Sequence, residues 1–172
     1  LAGWILAEHS SLLDAETTAS LTRNILANRT RNILIFNQMR QLNKAFEKAG
    51  IPLLFIKGSS GFIRGVYSEE WHYMTDIDAM IPMDYLHEVQ HVLLSLGYTP
   101  DPSLYVSEYF HHLIPYYHPG HIAAIEIHKE PYFMKKNDIS YRESIWDDAE
   151  KVTFRGDEYL VPSVQDHSWI VM

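Results

Sequence analysis

The sequence predicts an α+β fold in which helices cover a mixed β-sheet, with a helical segment at the N-terminus. Two observations predict this class. After a first stretch with helical periodicity, short apolar runs typical of strands alternate with helical runs. Two aromatic and β-branched runs divided by Pro119-Gly120 then predict an antiparallel pair of strands. Strands separated by helices and followed by an antiparallel pair indicate a mixed sheet.

Composition limits the classes of protein that the chain can belong to. Its 172 residues are 47% hydrophobic, which is enough for one domain with a core, and the absence of cysteine leaves oxygen and imidazole as the metal ligands. The formal charge of -8 argues against a partner as long and anionic as a nucleic acid duplex. No run approaches the roughly 18 apolar residues of a membrane span, and no signal peptide is visible. We expect a cytoplasmic protein without a membrane partner.

The first part of the chain, residues 1–50, is expected to be helical. Gly50 and Pro52 end a run in which four apolar residues recur at helical spacing: Ile35, Met39, Leu42 and Phe46. Residues 51–162 are expected to form the α+β core. Residues 163–172 begin a helix that has no stop signal, and the chain opens on Leu1, so we expect a fragment with a truncated C-terminal helical part.

Within the core, each element is predicted from its periodicity and its turn residues. A glycine-rich turn and short helix (58–67) follow the strand IPLLFI (51–56), and a second strand, TDIDAMI (75–81), leads into a helix (82–97). The antiparallel pair is YFHHLIPYY (109–117) with HIAAIEIH (121–128). A helix near 139–149 and a hairpin over 151–162 complete the core.

Two strands carry polar residues in an alternating pattern. Residues i and i+2 of a strand share a face, so Asp76 and Asp78 can converge while Ile77 faces the core. Glu126 and His128 repeat the pattern in IEIH, and if this strand lies beside the first, three carboxylates meet. Two carboxylates 4 Å apart repel by about 4 kcal/mol at an effective dielectric of about 20, so a cluster of three needs a cation or a bound proton. Oxygen ligands favour magnesium, manganese or calcium. The alternative is a strand edge with solvated carboxylates.

The turn after the first strand is a candidate anion site. Lys57-Gly58-Ser59 places backbone N–H groups at the start of a helix, where a phosphate can bind, and Gly58 lets a ligand come close to the backbone. The alternative is an ordinary strand-to-helix turn with Ser59 as the N-cap. For Lys57, a solvent-facing position at the strand end is an equal alternative to phosphate pairing.

Taken together, these motifs resemble a bacterial family of largely uncharacterised nucleotidyltransferases in the polymerase-β-like superfamily. The segments GIPLLFIKGSS, TDIDAMI and HHLIPYYHPGHIAAIEIH match that family's strand-and-turn, acidic and late histidine-glutamate motifs over residues 30 to 130. The resemblance implies a nucleotidyltransferase-like core. It also implies an enzyme that transfers a nucleoside monophosphate from a triphosphate to a hydroxyl of a small molecule or protein and releases pyrophosphate.

The resemblance also implies roles for individual residues. Gly58 and Ser59 would hold the phosphates, with Lys57 or Arg64 supplying positive charge, because His72 stands where the family usually has an arginine. Asp76 and Asp78 would bind Mg²⁺ or Mn²⁺, and Glu126 would be the third carboxylate and a metal ligand or base. His128 and, if it lies across from it, His112 could contact phosphate, orient a carboxylate or ligate metal.

Two other functions remain open from the sequence. One is an inert relative with the same fold that binds nucleotide or a partner protein. The other is a zinc hydrolase, because His87-Glu88-Val89-Gln90-His91 matches the H-E-x-x-H zinc protease motif. The apolar residues of that helix fall on the side opposite to His87, Glu88 and His91, which predicts that these three face solvent.

Overall fold

The computed structural model describes residues 2–103, 112–130 and 144–170. Its helices and strands alternate along the core as the sequence predicted. The helices are α1 (Ala2–His9), α2 (Ala15–Ala49), α3 (Lys57–Ile63), α4 (Leu86–Ser95) and α5 (Val164–Ile170), and residues 144–147 are also helical. The strands are β1 (Leu54–Phe55), β2 (Asp76–Met80), β3 (Thr99–Pro100), β4 (Tyr116–Tyr117), β5 (Ala124–His128), β6 (Glu150–Phe154) and β7 (Asp157–Val161).

All seven strands form one mixed sheet in the order β3-β4-β5-β2-β1-β7-β6. The pairs β2/β5 and β1/β7 are parallel, and the other neighbours are antiparallel. The predicted α+β fold with a mixed sheet is therefore confirmed. Because β2 is paired on both sides, a residue in its middle is shielded along the sheet by neighbouring strands.

The long helix α2 begins and ends where the sequence signals lie. The Asp14 side chain accepts a hydrogen bond of 2.7 Å from the Thr17 N–H and caps the first turn. Gly50 has a left-handed φ of 71°, and its N–H bonds to the carbonyls of Phe46 and Glu47. The predicted helix with its stop at Gly50 is confirmed. The four apolar residues that predicted it are all buried in the core: Ile35, Met39, Leu42 and Phe46.

Alternation along β2 separates two faces of the sheet. Ile77 and Ala79 belong to the large apolar core that α2 and α4 build on one face. Met80 belongs to a smaller cluster on the other face, with Leu54, Ile56, Ile145 of the helical residues 144–147, and Ile170 of α5. Asp78 shares the face of Met80, since residues two apart in a strand point the same way. The polar residues of β2 therefore lie on the face that carries the smaller of the two apolar clusters of described residues.

The predicted hairpins are confirmed where the structure describes them. β4 pairs with β5 through Tyr116 and Ile125, and a bridge joins His112 to His128; residues 109–111 of this prediction lie outside the described residues. β6 and β7 pair over their full length around Gly156. The predicted strand over 51–56 is shorter than expected, since only Leu54 and Phe55 pair with neighbouring strands. The predicted helix over 139–149 is described only from residue 144.

The length and composition of the helices can be compared with what a membrane span requires. Among the helices that the structure describes, none combines the length and the apolar composition that a crossing of the bilayer requires.

Burial along α2 predicts unequal effects of one substitution at two positions. Leu42→Ala should lower the free energy of unfolding by about 2–5 kcal/mol, because it leaves a cavity in the core where Leu42 is 1% exposed. The matched control Leu26→Ala, on the same helix but 56% exposed, should change it by less than about 0.5 kcal/mol. Urea denaturation measures both. Equal effects would contradict the placement of α2 on the sheet.

Candidate active site

The candidate site is built where β2 and β5 run side by side in parallel. Their register places Asp78 directly opposite Glu126, and His128 follows two residues later on the same face of β5. One ligand atom from each of Asp78, Glu126 and His128 lies within 4.8 Å of the other two. The sequence predicted that the two polar strands would meet if they were neighbours, and the structure makes them neighbours.

Asp78 is the buried centre of this site. Its Oδ1 atom accepts a hydrogen bond from the Lys57 ammonium at 2.7 Å and contacts His128 Nε2 at 2.8 Å. Burial raises the pKa of the Asp78 carboxyl, but the hydrogen bond from His128 and the charge of Lys57 outweigh it and hold the pKa below its ordinary value. The cation that the acidic cluster requires is thus supplied in this structure by the lysine side chain.

The backbone of Lys57 is what brings its side chain to Asp78. Lys57 is the first residue of α3 and has a φ of 48°, in the left-handed region that non-glycine residues seldom adopt. The preceding Ile56 N–H bonds to the Asp78 carbonyl at 3.1 Å, which fixes the start of the turn to β2. This conformation costs about 1–2 kcal/mol. The ion pair with a buried carboxylate offsets that cost.

Two serines after Lys57 are buried and hydrogen-bonded. Ser59 Oγ accepts from the Asp78 backbone N–H at 3.2 Å, so Ser59 fastens α3 to β2. It is not the N-cap, a position that Ile56 holds without a side-chain bond. Ser60 Oγ donates to the Lys57 carbonyl and contacts His167 Nδ1 of α5 at 2.7 Å. The contact with His167 joins α3 to α5.

Gly58 is covered by a stacked pair of rings that the sequence did not reveal. His72 stacks on Tyr67 with ring centroids 4.0 Å apart and planes 11° apart. A Cβ atom at Gly58 would lie 3.4 Å from His72 Nε2, and one at Gly61 would collide with the Tyr67 ring at 2.3 Å. Burial lowers the pKa of the His72 imidazole. Gly61 therefore lets the Tyr67 ring, with His72 stacked on it, pack directly against α3.

The loop that carries His72 is fixed by α2. Asn28 and Asn32 both donate side-chain N–H groups to the His72 carbonyl, at 3.1 and 2.6 Å, and Arg31 donates to the Met74 carbonyl at 2.7 Å. Side chains one turn apart on a helix share a face, so a polar stripe in α2 could have been found from spacing. Its partner, a loop backbone some 40 residues away in sequence, could not.

Three other residues predicted for the site have different surroundings. Asp76 is half-buried at the start of β2, opposite Ala124, and accepts from the Thr75 hydroxyl at 3.1 Å; it is not part of the group within 4.8 Å. The Arg64 guanidinium, at the far end of α3, bonds to Glu150 and to the Pro162 carbonyl. His112 pairs with His128 across the strands, with ring centroids 5.5 Å apart. Their proposed roles stay predictions.

The zinc motif of α4 lies on the surface. His87, Glu88 and His91 are exposed, while Val89 and Leu93 are buried in the large core. The predicted solvent face is confirmed. Among described residues, the groups with metal-ligand spacing do not include these histidines. The geometry therefore gives the zinc hydrolase no support.

The donor atoms of the candidate site fit a divalent cation. The two carboxylates are the hard oxygen ligands that magnesium and manganese prefer, and 23% of the Glu126 side chain is exposed. Because Lys57 contacts Asp78 Oδ1, the charge of Asp78 is already compensated before a metal binds.

The fold and the site together define a class. A mixed sheet carries carboxylates on two parallel strands beside a glycine-containing strand-to-helix turn, which is the arrangement that the sequence motifs led us to expect. A family described as "uncharacterised nucleotidyltransferase" matches residues 4–171, and the chain belongs to this family. A crystal structure of a "putative nucleotidyltransferase" from Thermotoga maritima is similar in fold, with a TM-score of 0.53 and 15% identity over 77% of this chain and 81% of that chain. No match is found among curated proteins.

The ion pair of Asp78 predicts how stability depends on pH. Because the folded-state pKa is lowered, the pair stabilises the fold above the ordinary aspartate pKa of 3.8 and loses this contribution as the pH falls through the folded-state pKa. Asp78→Asn should therefore lower the free energy of unfolding by about 3 kcal/mol near neutral pH and by progressively less in acid. Urea denaturation across this pH range measures the difference.

A matched control exists on the same strand. Asp76→Asn removes a half-buried carboxylate that has no ion pair within the part of the chain that the structure describes, and it should cost less than about 1 kcal/mol at neutral pH. If the effect of Asp78→Asn were the same at neutral and at acid pH, the ionised Asp78 would not be coupled to folding.

Proposed function

We propose that the protein is a metal-dependent nucleotidyltransferase. It would transfer a nucleoside monophosphate from a nucleoside triphosphate to a hydroxyl of a small molecule or protein and release pyrophosphate. The observation that carries the proposal is the group of Asp78, Glu126 and His128 on adjacent parallel strands, next to the turn at Lys57 and Gly58. Membership in a nucleotidyltransferase family supports the general activity.

The carboxylates are assigned to the metal. Asp78, with Asp76 at the start of the same strand, would hold Mg²⁺ or Mn²⁺, and Glu126 would either ligate the same metal or take the acceptor proton. When bound, the cation would offset the negative charge of the phosphates and polarise the reacting oxygens. His128, fully buried and in contact with Asp78 Oδ1, keeps that carboxylate in one orientation.

The base is assigned from the exposure of the two carboxylate side chains. The acceptor hydroxyl attacks the α-phosphorus; the new P–O bond forms as the bond to the bridging oxygen breaks, and pyrophosphate leaves with those electrons. Glu126 is the carboxylate of the group with the more exposed side chain, 23% against 8% for Asp78, so it is placed to take the acceptor proton. Asp78, already bonded to two side chains, is less suited to that step.

The phosphates are assigned to the turn. Lys57 places a positive charge beside Gly58 in the chain, and a phosphate would reach the Gly58 backbone from a side that the His72 ring does not cover. Ser59 is fully buried and accepts the Asp78 N–H, so its part would be to hold the turn against β2 beneath the phosphates. Arg64 would first have to leave Glu150 and the Pro162 carbonyl, and we therefore assign it a smaller part.

One observation favours a second candidate, an inert relative that binds nucleotide or a partner protein without turnover. Lys57 compensates Asp78 in the protein alone, so the acidic cluster is stable without a metal. The two candidates differ in whether a divalent cation and a triphosphate bind together and react.

Calorimetric titration of the four nucleoside triphosphates, with and without Mg²⁺ or Mn²⁺, tests the proposal. Wild type should bind one triphosphate in a metal-dependent way, and Asp78→Asn should weaken that binding by about 10- to 100-fold, because a ligand atom loses its charge. Asp84→Asn, the same change at an exposed aspartate, should leave it unchanged. Absence of metal-dependent binding in wild type would favour the inert relative.

Glu126→Gln separates binding from reaction. We expect pyrophosphate release to fall by about 10²- to 10⁴-fold, because the acceptor proton loses its base, while the dissociation constant of the metal-triphosphate complex changes much less. A pyrophosphate assay and calorimetry on the same preparation measure the two quantities. Glu158→Gln, at an exposed glutamate of β7, is the control. Equal losses of binding and release would argue against a role for Glu126 as base.

A further inference from the structure

The two side chains that contact Asp78 Oδ1 differ in their exposure, and this difference bears on how a metal could bind there. Lys57 Nζ and His128 Nε2 both contact Asp78 Oδ1, at 2.7 and 2.8 Å, and they lie 3.4 Å from each other. The His128 side chain is fully buried, whereas 32% of the Lys57 side chain is exposed. Of the two partners, Lys57 is the one that can leave without opening the core.

We propose that Lys57 is a resident counter-cation that competes with a divalent cation for Asp78 and is released when a triphosphate binds. The inference rests on the proposed function and adds the order in which the site fills. Metal alone would bind weakly, because it meets an ammonium already on its carboxylate. Metal and triphosphate together would bind cooperatively, because the phosphates draw that ammonium away.

Electrostatics explains why the two cations exclude each other. An ammonium in direct contact with Asp78 Oδ1 lies within the same few ångströms as any metal bound by Asp78 and Glu126, and like charges at that distance repel strongly in a buried site. Exchange of one cation for the other keeps the Asp78 carboxylate compensated at each stage. A buried carboxylate with no partner would be costly, so simple departure of Lys57 is disfavoured.

The position of Lys57 in the chain makes the exchange possible. Its backbone is held in the left-handed turn next to Gly58, where the proposed phosphate site lies, and its four-carbon side chain can turn through rotamers alone. The ammonium can thus move from Asp78 towards a phosphate without a change in α3. Ser59, which is bonded to the Asp78 backbone, keeps α3 and β2 together during the exchange.

Binding of Mn²⁺ to wild type and to Lys57→Met, with and without a non-hydrolysable triphosphate analogue, tests the proposal. By electron paramagnetic resonance of free Mn²⁺, Lys57→Met should bind the metal alone at least about tenfold more tightly than wild type. The analogue should strengthen Mn²⁺ binding to wild type more than to Lys57→Met, because in the variant there is no ammonium to release. Lys151→Met, at a lysine that pairs with Glu158 on the surface, should behave as wild type.

The outcomes separate the two proposals. If wild type binds Mn²⁺ with the analogue and Lys57→Met binds the metal alone no more tightly, the competition is wrong and the proposed function stands. If neither protein binds Mn²⁺ with or without the analogue, the proposed function and the competition both fail. Should Lys57→Met not fold, a crystal structure of wild type with Mn²⁺ and the analogue decides. Lys57 Nζ still 2.7 Å from Asp78 Oδ1 would overturn the competition, and Nζ on a phosphate would support it.

Discussion

The constraint on which the site depends is the charge of one buried carboxylate. Asp78 lies in the middle of β2, which has a strand on either side, and water cannot compensate its charge there. Lys57 and His128 contact the same carboxylate oxygen, and Ser59 accepts the Asp78 backbone N–H. The left-handed turn at Lys57 and the packing of α3 on β2 both follow from the need to bring these groups to one point.

The two faces of the sheet have different roles: one carries the large apolar core and the other carries the candidate site. One face, packed by α2 and α4, holds the large apolar core and gives the fold its stability. The other face has a small apolar cluster and the polar group of Asp78, Glu126 and His128. Helix α2 reaches the site through its polar stripe, because Asn28 and Asn32 hold the carbonyl of His72, whose ring covers Gly58.

Much of the fold and part of the site could be predicted from sequence, because both depend on local patterns. Capping by Gly50, the alternation in β2 and β5, and the solvent face of α4 are encoded within single elements. The meeting of Asp78 with Glu126 required the order of strands, which the resemblance implied and spacing alone did not. The asparagine contacts join residues some 40 positions apart, so no local pattern contained them. The His72–Tyr67 pair is close in sequence but lies in a loop, where no helix or strand period indicates which side chains stack.

By itself, the sequence determined the class of fold, the strands that carry the candidate site residues and the turn beside them, because periodicity, glycine and alternation act over a few residues. Only the tertiary structure decided which cation compensates the acidic group. The ammonium of Lys57 reaches Asp78 through a backbone conformation that its residue type disfavours and across 21 positions of sequence. Such a contact depends on how α3 packs against β2, and this packing cannot be predicted from the sequence of either element alone.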